Sequence, residues 1–282
     1  MGEKELEVLP IDDLSDELKS MYTKNEIDKR CKLASLYRLI DVMGWSLAIF
    51  NHISLRLSED KDEFLTNPFS LLYGYMTASS LVRVDVEGNT KDPGITSLGV
   101  HRAGFVLHTN IFKTRPDINC VIHVHTPNSL TAHSMKCGFF ITNQESIIIG
   151  KVSYHDYQGL PIEKVENEVV KVISKDDLGP GNMIMFLPNN GAVICCKDVE
   201  SSFLLLSTLM SAARSQEGRS RGLSSTGHDE LTNQIQAVVA KPSSATSKHH
   251  QALSSEYFEA HMGWLDEQGL CTGHVYKVMD NS

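Results

Sequence analysis

Basic charge is scarce in this chain. Its 26 Lys and Arg against 35 Asp and Glu leave a formal net charge of −9, without any strongly basic cluster. That balance argues against nucleic acid, whose affinity rests on neutralising phosphates, and against an electrostatic grip on anionic membranes. Long apolar runs are missing as well: nothing approaches the roughly 20 consecutive residues of a membrane helix, and the opening "MGEKELEVLP" has no apolar segment after a basic start. The expectation is a soluble, cytoplasmic protein with no transmembrane insertion. The cysteines Cys31, Cys120, Cys137, Cys195, Cys196 and Cys271 show no C-x-x-C spacing and fall in apolar segments, so they read as reduced core thiols. "LGPGN" lacks the length and the Lys-Ser/Thr of a P-loop, and no serine stands in a G-x-S-x-G elbow.

What is present suits a layered globular fold. With 282 residues and 41% hydrophobic content, a large core is within reach. Leu33, Leu36, Ile40 and Met43 recur on one helix face, and Gly44 is a fitting stop. "HISLRL" alternates apolar and polar residues as a strand does, and "EFLTN" and "LVRVDVEGN" continue a strand-rich region. Val100, Gly104, Leu107 and Ile111 predict a helix that Pro116 closes. Further on, helices are predicted over 127–137, 163–176 and 199–214, with paired strands in "NMIMFL" and "AVICC". Alternation of this kind implies α/β layers around one sheet. Residues 1–24 read as a polar arm. From 215 to 255 the chain turns to Ser, Gly, Thr and Lys, which is linker chemistry, with a brief helix suggested by Leu231, Ile235 and Val238. Phe258, Met262 and Leu265 then mark a C-terminal helix that Gly269 ends, so 256–282 reads as helix and tail.

The stretch "CVIHVHTPN" sets His123 and His125 two residues apart in a strand, hence on one face, about 7 Å apart along the backbone. Such a pair suits either a metal ion or two hydrogen-bonded interior imidazoles; a catalytic zinc wants three protein ligands and an open position. His155 in "SYHDYQG" is a candidate third ligand from a neighbouring strand, or a hydrogen-bonded core histidine. His108 and His133 fall on helices next to the strand and suit supporting or packing roles.

The order of His108, Arg115-Pro116-Asp117, His123-Val124-His125 and Thr126 resembles the class II aldolase and adducin head family. The likeness runs through "GWSLAIFNHISLR", "NPFSLLYGYMTASSLV" and "LPNNGAVICC", covers roughly residues 25–215, and is nearest to the adducin branch, as "GVHRAGFVLH" and "YFEAHMGWLDEQG" also indicate. The resemblance implies a class II aldolase-like α/β fold with a central, mainly antiparallel sheet flanked by helices. Its aldolases and epimerases bind zinc through the H-x-H strand and a third histidine in an Asn-His-Gly turn; here that turn is Asn189-Asn190-Gly191, and an amide is a poor zinc ligand. Their acid-base glutamate falls at Gly104, which supplies none of the roughly 10²- to 10⁴-fold that a positioned proton-transfer group contributes. Their phosphate loops, a Gly-Asn turn, a Thr-Pro-x-Gly turn and a Ser-Ser pair, appear as Asn51-His52, as "NPFS" with Ser70 in place of glycine, and as Thr96-Ser97.

The resemblance therefore implies a non-catalytic adducin-like head without a cofactor, which self-associates or joins longer adducins and binds actin filaments and spectrin in the membrane skeleton at the cytoplasmic side of the plasma membrane. Adducins continue into a neck and a lysine-rich tail, and this sequence ends at Ser282, so the expectation is a head-only member. Two alternatives stay open: a zinc-dependent sugar-phosphate aldolase or epimerase, and a metal-free module that binds small molecules in the residual cleft.

Overall fold

The computed structural model describes residues 8–58, 62–126, 139, 143–149, 152–155, 181–187, 190–220 and 245–276. A short helix, α1 (Asp16–Met21), precedes α2 (Lys24–Val42). The side chain of Thr23 caps α2 by accepting from the Glu26 amide, and Gly44 adopts φ 70° just beyond it, the left-handed conformation that favours glycine after a helix end. Strands follow as β1 (His52–Ser58), β2 (Glu63–Thr66), β3 (Val82–Asp85) and β4 (Thr90–Asp92). Helix α3 (Arg102–Thr114) leads into β5 (Cys120–Val124). Then come α4 (Gln144–Ile149), β6 (Ser153–Tyr154), β7 (Met183–Phe186), β8 (Ala192–Cys196), α5 (Val199–Ser220) and α6 (Ala245–Glu267).

The strands form one sheet in the order β4-β3-β2-β1-β5-β8-β7-β6. Every pairing is antiparallel except β6 with β7, which agrees with the mainly antiparallel sheet expected. One face carries Ile53, Leu55, Leu57, Cys120, Ile122 and Val124 against α2, α5 and α6. The other carries Phe64, Val84, Val121 and Val193 against α3. Helices on both faces explain why the alternation in β1 does not produce an exposed side: Ser54 and Arg56 are buried too. The Arg56 guanidinium donates to the carbonyl of Phe112 at 3.0 Å and to Asp62 at 3.1 Å and lies over the Phe64 and Phe112 rings, while its buried Nε has no partner among the described residues.

Three expectations need adjustment. The segment read as a polar arm is anchored from Ile11 onward, because Ile11 and Leu14 are apolar and buried. The Ile11 amide donates to Leu270 and its carbonyl accepts from Ala78, while the Asp12 amide donates to Cys271. The Ser-rich spacer expected over 215–255 is helical at both edges, as α5 runs to Ser220 and α6 begins at Ala245; from Ala245 to Tyr257 there is neither Gly nor Pro to interrupt a helix. Cys271 is exposed, unlike the buried Cys31, Cys120, Cys195 and Cys196, and Cys137 lies outside the described residues. The helices expected over 127–137 and 163–176, the brief helix around Leu231, and His133 lie outside them too. The apolar stripe of α6 is as expected, with Phe258, Met262 and Leu265 fully buried.

Candidate functional site

Beside the antiparallel pairing of β1 and β5 sits a knot of imidazoles. The register places His52 opposite His123, so both rings project toward the side covered by α3. His108, on α3, stacks against His52 with ring centroids 4.6 Å apart, and the His52 and His123 centroids are 4.7 Å apart. His125, one residue past the end of β5, lies beside His123 at 4.4 Å. His101, just before α3, stands 6.1 Å from His52 and stacks on Phe69. The H-x-H pair is thus brought together, and two histidines that the sequence reading did not place with it, His52 and His101, join it. The overlooked signal was the alternation of His52 and Ser54 with Ile53 and Leu55, which sets His52 on the polar face of β1.

The hydrogen bonds assign the tautomer of His123. His123 Nε2 lies 2.7 Å from the carbonyl oxygen of Asn190; a carbonyl only accepts, so Nε2 carries the proton. His123 Nδ1 is then a lone pair, and it faces His52 Nε2 at 3.3 Å, while His52 Nδ1 lies 3.5 Å from the Phe50 carbonyl; a neutral His52 donates from one of these two nitrogens at a time. His108 Nδ1 pairs with the Ser54 hydroxyl at 2.8 Å, while its buried Nε2 has no partner among the described residues. Burial pushes the imidazoles of His52, His108 and His123 well below their usual pKa, because a charged ring in this interior would lose its hydration. The same cause lowers His125. The knot is neutral, directional and internally bonded.

Both ring nitrogens of His123 face protein atoms in this arrangement. Zinc takes imidazole lone pairs, whereas His123 Nε2 donates to the Asn190 carbonyl and His123 Nδ1 faces His52 Nε2. Among the described residues no group of three His, Cys, Asp or Glu is arranged to hold a metal ion. Asn190 contributes its backbone carbonyl where the aldolase pattern has an imidazole. Gly191, at φ 86°, fixes that turn: a Cβ there would lie 2.0 Å from the Val124 carbonyl, so only glycine allows so close an approach. His155 is buried beyond β6, and the strand order separates β6 from β5 by three spacings, about 14 Å at the usual interstrand distance. The structure does not bring it to His123 and His125.

Other motif residues have structural work. Arg115 grips Asp117 through two nitrogens at 2.7 Å and donates to the Gly181 carbonyl, whose amide returns a bond to Asp117; this pairing with Arg115 holds the Asp117 carboxyl down at about 2. The Arg-Pro-Asp turn is therefore a strut between α3 and the approach to β7. Asn51 bridges two segments, accepting from the His125 amide and donating to the Trp45 carbonyl. Ser70 has φ 75°, a left-handed conformation at the position where the resembling turn carries glycine.

Comparison with known proteins places these features. Residues 31–216 match the family described as Class II Aldolase and Adducin N-terminal domain. Alpha-adducin of Rattus norvegicus is 37% identical over 280 residues, covering 96% of this chain and 37% of the relative. Gamma-adducin of Homo sapiens is 34% identical over 281 residues, covering 96% and 39%; Beta-adducin of Homo sapiens is 31% identical over 278, covering 95% and 37%. The chain thus spans under two fifths of the length of these curated relatives. Among solved structures, an aldolase II superfamily protein from Pseudomonas syringae superposes with a TM-score of 0.71 at 28% identity, covering 86% of this chain and 97% of that one. L-fuculose 1-phosphate aldolase from Glaciozyma antarctica PI12 shares the fold, with a TM-score of 0.67 at 21% identity, covering 86% and 91%.

Proposed function

Because this chain belongs to the Class II Aldolase and Adducin N-terminal domain family, we propose that it works as a non-catalytic head of the adducin type. In this reading it self-associates or joins longer adducins and contributes to contacts with actin filaments and spectrin in the membrane skeleton, at the cytoplasmic side of the plasma membrane. The observation that carries the reading is the bond from His123 Nε2 to the Asn190 carbonyl. It occupies the nitrogen that a metal would need, on a strand whose neighbouring helix offers Gly104 where an acid-base carboxylate belongs. An aldol cleavage needs both an electron sink for the developing enolate and a group to move the proton. The described residues supply neither in the expected place. Identity to three adducins along nearly the whole chain supports the same conclusion, and no helix among the described residues is long and apolar enough to cross a membrane.

The test is co-sedimentation with filamentous actin, with and without a full-length adducin, alongside metal analysis of the purified protein. The scaffold predicts pelleting in at least the mixture with adducin, substoichiometric zinc, and a His123→Ala variant that still pellets. Failure to pellet in both mixtures, or stoichiometric zinc with lyase activity that His123→Ala abolishes, would overturn it.

A further inference from the structure

Two departures from the aldolase pattern, histidine for asparagine at position 52 and glycine for glutamate at position 104, lie far apart in sequence and meet in space. A Cβ built on Gly104 would lie 2.8 Å from His52 Nε2, 2.8 Å from His52 Cε1 and 2.8 Å from His101 Nδ1. These separations are closer than non-bonded carbon and nitrogen tolerate, so something must move. His101 is exposed and can swing aside. His52 cannot: it is only 8% exposed, stacked on His108 and bonded to His123.

We infer that His52 and Gly104 are a matched pair, in which the imidazole of β1 fills the space that a side chain at position 104 of α3 would occupy. His52 is then the residue that closes the ancestral acid-base position, and its ring is what holds His123 Nδ1 in a protein bond. Glycine at 104 is a consequence of that ring. A carboxylate cannot be restored at 104 unless position 52 is reduced at the same time. This deepens the non-catalytic reading of the same site, yet it stands or falls on stability alone and is independent of actin binding.

A double-mutant cycle tests it, with chemical denaturation of Gly104→Ala, His52→Asn and the double variant as readout. In a helix interior free of clashes, Gly→Ala lowers the unfolding equilibrium constant about fivefold; overpacking a well-filled site raises it by roughly five- to 150-fold. The expected result is a rise of at least about tenfold for Gly104→Ala in the natural background and a fall of about fivefold in the His52→Asn background. Gly104→Glu supplies a second cycle: alone it should be insoluble or strongly destabilised, and with His52→Asn it should fold. If Gly104→Ala fails to fold while the double variant folds, the pairing is supported. Effects that multiply to within about a factor of two, as for independent sites, would overturn it, as would a double variant no better than Gly104→Ala.

Discussion

Mild acid should destabilise this protein through its histidine knot. His52, His108 and His123 are 8%, 0% and 3% exposed, and burial holds each well below the ordinary value of 6.5. In the unfolded chain each returns to about 6.5. The unfolded state therefore binds more protons below that pH, and stability must fall as pH falls. The contribution is intact above about 6.5 and is lost as pH descends toward the depressed folded values. A ring still neutral in the fold at pH 5.5 loses about 1.4 kcal/mol relative to pH 7.5, so three lose about 4 kcal/mol together. Against a typical total of 5–15 kcal/mol, that brings the fold near its limit. Urea melts at pH 7.5 and 5.5 should differ by more than about 1 M in midpoint. The window lies above the titration of Asp85 and Asp117, each held at about 2 by ion pairing and hydrogen bonds, so those carboxylates stay ionised throughout. Replacing His108 by Gln should remove about a third of the pH dependence. A midpoint that is the same at both pH values, or an uptake below one proton on unfolding at pH 5.5, would refute the assignment of three neutral buried rings.

Other substitutions probe separate contacts. Gly191→Ala, whose Cβ would meet the Val124 carbonyl at 2.0 Å, should cost more than about 3 kcal/mol in thermal unfolding and free the turn from His123, visible as a shifted His123 ring resonance. Ser70→Gly relieves the φ of 75° and should stabilise by about 0.5–1 kcal/mol; a loss of stability would show that the hydroxyl is needed. Ile11→Ala empties a fully buried site at a cost of about 2–5 kcal/mol, and limited proteolysis should then cut near residues 270–273, which the Ile11 and Asp12 amides hold.

Much of the fold was readable because helix and strand periods differ. Leu33, Leu36 and Ile40 predicted α2, and Phe258, Met262 and Leu265 predicted the buried stripe of α6, since a spacing of three or four residues is itself the geometry of a helix face. The alternation in "HISLRL" marked the strand and said nothing of its surroundings, because periodicity reports which side of a strand a residue takes and not what covers that side. The spacer was drawn too wide for a related reason: Ser and Lys are permissive of helix, so composition marks polarity and leaves boundaries to packing. The arm at Ile11 depended on a partner at Leu270, at the far end of the chain, which local pattern does not register.

The site divides along the same line. By itself the sequence determined which groups exist: imidazoles at 123 on β5 and at 125 just past its end, glycine at 104 and asparagine at 190, all of them identities that no folding event alters. Only the tertiary structure decided what those groups touch. The β1–β5 register set His52 against His123, the turn at Gly191 brought the Asn190 carbonyl within bonding distance, and the sheet order kept His155 three strands away. Contacts between residues 67 to 71 positions apart are set by strand pairing and close packing, which arise from the whole chain folding at once, whereas chemical identity is fixed one residue at a time.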